Sequence, residues 1–185
     1  MSGIRIMGTG SYVPEKIISN FDLEKTLDTS DEWIVKRTGV KERRMAAPDQ
    51  ATSHLAYEAA KKAMAVAGVT ADELDYIILG TITPDMCCPS GACFLEDKLG
   101  AKKAVSFDVT GACSGFIFAL EVGRRFVLTG ANRVLVVAAE LMTRVQDWTD
   151  RANCILWGDG SGAVVLEPSD LKPQILQIFI AVQHC

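Results

Sequence analysis

The stretch Asp108-Val109-Thr110-Gly111-Ala112-Cys113-Ser114-Gly115-Phe116 sets a thiol among small neighbours. Small residues let a backbone turn sharply and let another molecule come close. An apolar run at 104–107 leads into this stretch. A long apolar segment, 113–128, reads as a helix leading out of it. A thiol at the start of a helix sits at the positive end of the dipole, which favours the thiolate, the nucleophilic form. The pattern has the logic of a nucleophile elbow, with Cys113 in place of serine. It equally describes a packed strand–helix junction around an inert cysteine, and these nine residues do not choose between the two.

A second candidate lies nearer the start. In Asp28-Thr29-Ser30-Asp31-Glu32-Trp33-Ile34-Val35-Lys36-Arg37-Thr38-Gly39 the acids come first, the bases last, and a glycine closes the run. That is the order of a capped helix. Trp33 and Arg37 stand four apart and share one face. An indole beside a guanidinium suits a flat aromatic ring that carries phosphates. On these residues alone, a packed tryptophan beside a solvated arginine is the stronger reading.

The remaining reactive side chains offer less. Cysteines stand at 87, 88, 93, 113, 154 and 185. No CxxC pair occurs, and Cys87-Cys88-x4-Cys93 is not a zinc spacing. His54 reads as an ordinary helix residue and His184 lies in the tail, so no metal site is expected.

Alternating strands and helices must position these groups. Residues 4–6 alternate, and Gly8-Thr9-Gly10 reads as a turn ending at Pro14. As a dinucleotide loop this Gly-x-Gly is weak, because the third glycine is missing. Asn20 is expected to cap a short helix at 21–27. Thr52–Ala67 is amphipathic, with Leu55, Ala56, Ala59, Ala63, Met64 and Ala67 on one face and Gly68 as its stop. Tyr76–Gly80, 104–107 and 133–139 are apolar runs suited to buried parallel strands. A loop at 83–90 leads to a helix at 90–99. The segment 113–128 is apolar nearly all round and is expected to be central and buried. Cys154, Ile155 and Leu156 read as an apolar turn ending at Trp157, residues 158–162 as a glycine turn, and 163–166 as a last strand. The pattern predicts an α/β domain.

Composition narrows the classes. The chain has 185 residues, 49% hydrophobic and 23% charged, with a net charge of −4. Nothing in that balance favours nucleic acid or an anionic membrane surface. No apolar run is long enough to span a bilayer. The residues Met1-Ser2-Gly3-Ile4-Arg5-Ile6 lack the regions of a signal peptide, so a cytoplasmic location is expected.

Several segments together resemble one family. The residues 29–34, Arg37-Thr38-Gly39 and Glu42-Arg43 resemble the N-terminal signature of β-ketoacyl-acyl carrier protein synthase III. The stretch from Asp108 to Phe116 resembles its active-site cysteine segment. Thr149-Asp150-Arg151 and Trp157-Gly158-Asp159-Gly160 resemble a later loop. The resemblance implies the N-terminal half of a thiolase-like α/β fold. That is a mixed sheet with helices on both faces and a central helix starting at the active-site cysteine. It implies a homodimer that condenses a short acyl-CoA with malonyl-acyl carrier protein, with loss of carbon dioxide, to start fatty acid synthesis. No cofactor is implied, coenzyme A thioester being a substrate.

Carried over by residue, the resemblance makes Cys113 the acylated nucleophile. Trp33 and Arg151 would hold adenine from two sides, with Arg37 near the phosphates and Thr29 and Thr38 beside them. Cys88, Leu156 and Trp157 would line the acyl pocket. Many members carry a bulky aromatic where Cys88 stands. The domain is expected to span 1–168, with 169–185 an atypical tail and the family's second half absent. The histidine and asparagine that stabilise the enolate belong to that half, so full condensation is not expected of these residues alone. Two other readings stand beside this one. The first is a non-catalytic half-domain binding a partner or a coenzyme A derivative. The second is a cysteine thioesterase, which would need a general base near Cys113.

Overall fold

A computed structural model describes residues 3–170. The tail at 171–185, which carries His184 and Cys185, lies outside the described residues. In chain order the elements are β1 (Gly3–Tyr12), β2 (Lys16–Ser19), α1 (Asn20–Leu23), α2 (Asp31–Thr38), β3 (Glu42–Met45), α3 (Thr52–Ala67), β4 (Tyr76–Gly80), α4 (Gly91–Leu99), β5 (Val105–Val109), α5 (Gly115–Leu128), β6 (Val134–Leu141), α6 (Arg151–Cys154) and β7 (Asp159–Ser169).

Five strands form one mixed sheet in the order β1-β7-β6-β4-β5. β4 runs parallel to both β5 and β6, and β7 runs antiparallel to β6 and β1. Successive strand residues point to opposite faces. Ile77, Leu79, Leu135, Val137, Ala163 and Val165 therefore pack with α3 and α4. Ile78, Val134, Val136, Val164 and Leu166 pack with α5. Helices on both sides leave no wet face, which is why these strands read as unbroken apolar runs. The mixed sheet and its two helix layers are as expected from sequence.

Four local expectations differ. Gly8 and Gly10 are not a turn: β1 runs straight through them to Tyr12, with one bulge after Ile6. Their role is close approach. A Cβ at Gly8 would stand 2.6 Å from the Ala67 amide nitrogen, and one at Gly10 2.5 Å from that of Ala63. Residues 159–162 are not a turn either, but the start of β7. Gly160 pairs with Glu140, and Gly162 with both Ser11 and Ala138. Cross-strand partners far away in sequence override a local turn preference.

Ser19, not Asn20, caps α1, in a capping box with Asp22. Asn20 is buried instead. Its amide donates to Asp31 Oδ1 at 2.9 Å and to the Val40 carbonyl at 2.8 Å, and its oxygen accepts from Arg43 at 2.7 Å. Arg43 lies in the small antiparallel sheet of β2 and β3, which sequence periodicity did not reveal. It also donates to the Ile155 carbonyl at 3.0 Å, tying this small sheet to the segment after α6.

The fourth difference concerns the helix after the thiol. A 3-10 turn, Ala112–Ser114, comes first and α5 starts at Gly115. Only one side of α5 is buried, through Ala119, Leu120, Gly123 and Val127, while Ile117 and Leu128 are exposed. Its outer side has no covering element among the described residues.

Candidate active site

The parallel strands β5, β4 and β6 all end on one edge, and the open end of such a sheet is where ligands are usually held. The α5-facing positions are bulky low on the sheet and small near that edge: Gly80 on β4, Ala138 on β6, Gly160 and Gly162 on β7. The small residues let α5 come close. A Cβ at Gly80 would stand 2.9 Å from the Gly115 carbonyl carbon. Asp108, near the end of β5, accepts from the Gly91 and Ala92 amides at 2.7 and 2.8 Å and so caps α4. Beyond β5 the chain reverses through Gly111 and Ala112. Ala112 adopts φ 44°, a left-handed conformation uncommon outside glycine. The next residue is Cys113.

Cys113 is exposed and lines a cavity of about 450 Å³. Ile82, Met142, Trp157, Gly158 and Gly160 share that lining, and Glu140 is the charged member of it. The thiol therefore meets an open, largely apolar space. Cys154 is the opposite case. It is buried, and burial pushes its thiol up, so it stays protonated. His54 accepts a hydrogen bond from the Ala51 amide at 2.9 Å and lies 3.2 Å from Lys98 Nζ, which is a helix-start role. No group of three or more His, Cys, Asp or Glu side chains is arranged for a metal among the described residues.

A second cluster forms around Trp33. The Arg37 guanidinium lies 4.6 Å from the indole centroid and that of Arg151 lies 4.9 Å from it. Arg151 also donates to the Asp28 carbonyl at 2.6 Å. The Thr29 hydroxyl is buried without a hydrogen-bond partner. α6 links the two clusters. It carries Arg151, and it carries Asn153, whose side-chain oxygen accepts from the Trp157 indole at 2.6 Å.

The family description 3-Oxoacyl-[acyl-carrier-protein (ACP)] synthase III matches residues 107–183, a range that runs on beyond Pro168. A Beta-ketoacyl-[acyl-carrier-protein] synthase III of Xanthomonas oryzae is 58% identical over 167 residues, 90% of this chain and 51% of the relative. That of Alkalilimnicola ehrlichii is 53% identical over 178 residues, 95% of this chain and 55% of the relative. The crystal structure of 3-oxoacyl-[acyl-carrier-protein] synthase III from Aquifex aeolicus superposes with a TM-score of 0.89 at 48% identity, covering 92% of this chain and 55% of that one. Over nine-tenths of its length the chain is similar to proteins of the synthase III family. It spans about half the length of the curated relatives it matches.

Of the site residues that the synthase III resemblance led to expect, some come together in the structure and others do not. Cys113 and Trp157 line one cavity. Trp33, Arg37 and Arg151 stack together, but Arg151 lies directly on the indole, so the expected slot is closed in this structure. Cys88 is exposed in the loop before α4, and Leu156 is exposed beside Trp157; neither is among the residues lining the Cys113 cavity. Thr38 is engaged in ending α2. Its hydroxyl donates to the Ile34 carbonyl at 2.8 Å and accepts from the Val40 amide at 3.0 Å. Glu140 was not singled out from sequence. A lone acid ending the apolar run Val134–Leu141 was the available signal.

Proposed function

We propose that this chain carries the acyl-accepting site of a 3-oxoacyl-acyl carrier protein synthase III. The supporting observation is Cys113, an exposed thiol at the turn between β5 and α5, opening into an apolar cavity. The Cys113 sulfur attacks the thioester carbonyl of a short acyl-CoA. The bond from that carbonyl to the coenzyme A sulfur breaks. The leaving thiolate takes up the proton that Cys113 gave away, and a Cys113 thioester remains. In the second step malonyl-acyl carrier protein loses carbon dioxide. The resulting enolate forms a carbon–carbon bond to the acyl carbonyl, and Cys113 leaves as thiolate. The coenzyme A nucleotide is held at Trp33, Arg37 and Arg151, with α6 as the bridge to the thiol cavity.

The two steps make different demands. A thiolate attacks a thioester without a histidine beside it. The enolate needs preorganised donors, and losing one typically costs about 10²–10³ in rate. A polypeptide of these 185 residues is therefore expected to acylate at Cys113 and to condense poorly. Incubation with acetyl-CoA followed by peptide mapping tests this. An acetyl group on the Cys113 peptide, absent in Cys113→Ser, is the expected result. Acetylation at another cysteine, or none, rejects the reading, and condensation at full rate rejects the need for further donors.

A further inference from the structure

Glu140 sits at the wall of the Cys113 cavity, yet its carboxylate is turned to one short segment. The amides of Ile82 and Thr83 donate to it at 2.8 and 3.1 Å. The Thr81 hydroxyl donates at 3.2 Å, and the Thr83 hydroxyl donates as well. The Thr83 oxygen in turn accepts from the Leu141 amide at 2.9 Å. A carboxylate beside apolar walls is costly unless its oxygens are occupied, and here four donors occupy them.

The position of this cluster explains its use. The pairing of β4 with β6 ends at Gly80 and Ala138. Beyond that point the backbone ladder no longer ties residues 81–83 to β6. Glu140 replaces it with side-chain bonds. Between the two threonines that Glu140 holds stands Ile82, which lines the cavity beside Cys113. Opposite Glu140 on β7 is Gly160, which leaves the space over the thiol open.

We propose that Glu140 is a positioning residue for the thiol site. By seating residues 81–83 it fixes the Ile82 wall and so limits the length of apolar chain that reaches Cys113. The proposal builds on the reading of Cys113 as the acyl acceptor, but it concerns the shape of the cavity. It can be tested with reagents that need no coenzyme A.

The full 185-residue chain, as wild type, Glu140→Gln, Thr83→Val and Ile82→Ala, is treated with iodoacetamide, N-ethylmaleimide and N-octylmaleimide. Modification at Cys113 is followed by peptide mapping, and folding of each variant by thermal melting. Gln keeps the shape of Glu but turns an amide donor toward amides that also donate. The expected result is a rise of about tenfold in the ratio of octyl to ethyl reaction at Cys113, the scale of one buried hydrogen bond lost. Iodoacetamide reactivity should stay within about threefold, because a small reagent does not meet the wall. Ile82→Ala should give the same ratio change directly. An unchanged ratio in folded Glu140→Gln overturns the proposal. If Glu140→Gln does not melt cooperatively, Thr83→Val decides by the same criterion. An unchanged ratio in Ile82→Ala overturns it too, since Ile82 would then not be the limiting wall. Loss of acetyl transfer with the ratio still changed removes the acyltransferase reading and leaves this one standing.

Discussion

Trp33 carries more than packing, because two guanidinium groups lie within 5 Å of its ring centroid. A flat ring inserted between Trp33 and Arg151 needs about 7 Å, two van der Waals contacts. The observed 4.9 Å requires Arg151 to swing away and to release the Asp28 carbonyl. On the proposed reading, coenzyme A binding would break one stacking contact to form others. Trp33→Ala is expected to weaken coenzyme A binding by about 3- to 30-fold, the range of a partly desolvated cation–π contact. Isothermal calorimetry checks this, and equal affinities would remove Trp33 from the site. The spacing of Trp33 and Arg37 was legible in sequence, since both ride one helix. The meeting with Arg151 followed only from the family resemblance, because no local pattern relates residues 118 positions apart. The role of Glu140 stayed hidden for the same reason: its donors come from residues 81–83, just after β4 and 57 to 59 residues away.

At the scale of an element, α5 is stabilised by ion pairs along its own length as well as by its buried face. Glu121 accepts from Arg124 at 2.6 and 2.7 Å and from Arg125 at 2.7 Å. The Arg124 hydrogen bonds hold its carboxyl below the usual carboxylate range. A group depressed on folding adds stability above its unfolded value of about 4.3, and that contribution is lost as pH falls through the folded value. Glu121→Gln is expected to cost about 1 kcal/mol at pH 7, because one carboxylate serves two arginines. The gap between the two proteins should begin to close below about 4.3, where the unfolded chain takes up the proton, and vanish once the pH has fallen through the lower folded value. Urea unfolding at pH 7 and pH 3 measures both, and a gap that stays constant with pH would exclude the ion pairs as its source. The apolar periodicity of α3 and the runs of β4 and β6 were readable because local spacing carries them. The start of α5 was not, since a 3-10 turn after Ala112 at φ 44° leaves no periodic trace. The glycines of β7 were misread because their partners are supplied by β1 and β6.

Taken whole, the described domain ends its sheet on β5, whose outer edge has no partner strand among these residues. Val105 on that edge is 56% exposed, and Ile117 and Leu128 are exposed on α5. Open strand edges and uncovered apolar side chains favour association. The 185-residue polypeptide is expected to self-associate at micromolar concentration, and light scattering against dilution measures it. A mass fixed at 20.0 kDa across the range would show that these surfaces are tolerated in water. The same architecture bears on how such a protein can vary. Where β4 meets α5, at Gly80 and Gly115, backbone rests on backbone with no side chain between them. The height of the Cys113 sulfur above the sheet is therefore set by main-chain contact. Substitutions elsewhere in the core can accumulate without moving it. The cavity walls are free to change shape while that sulfur keeps its place.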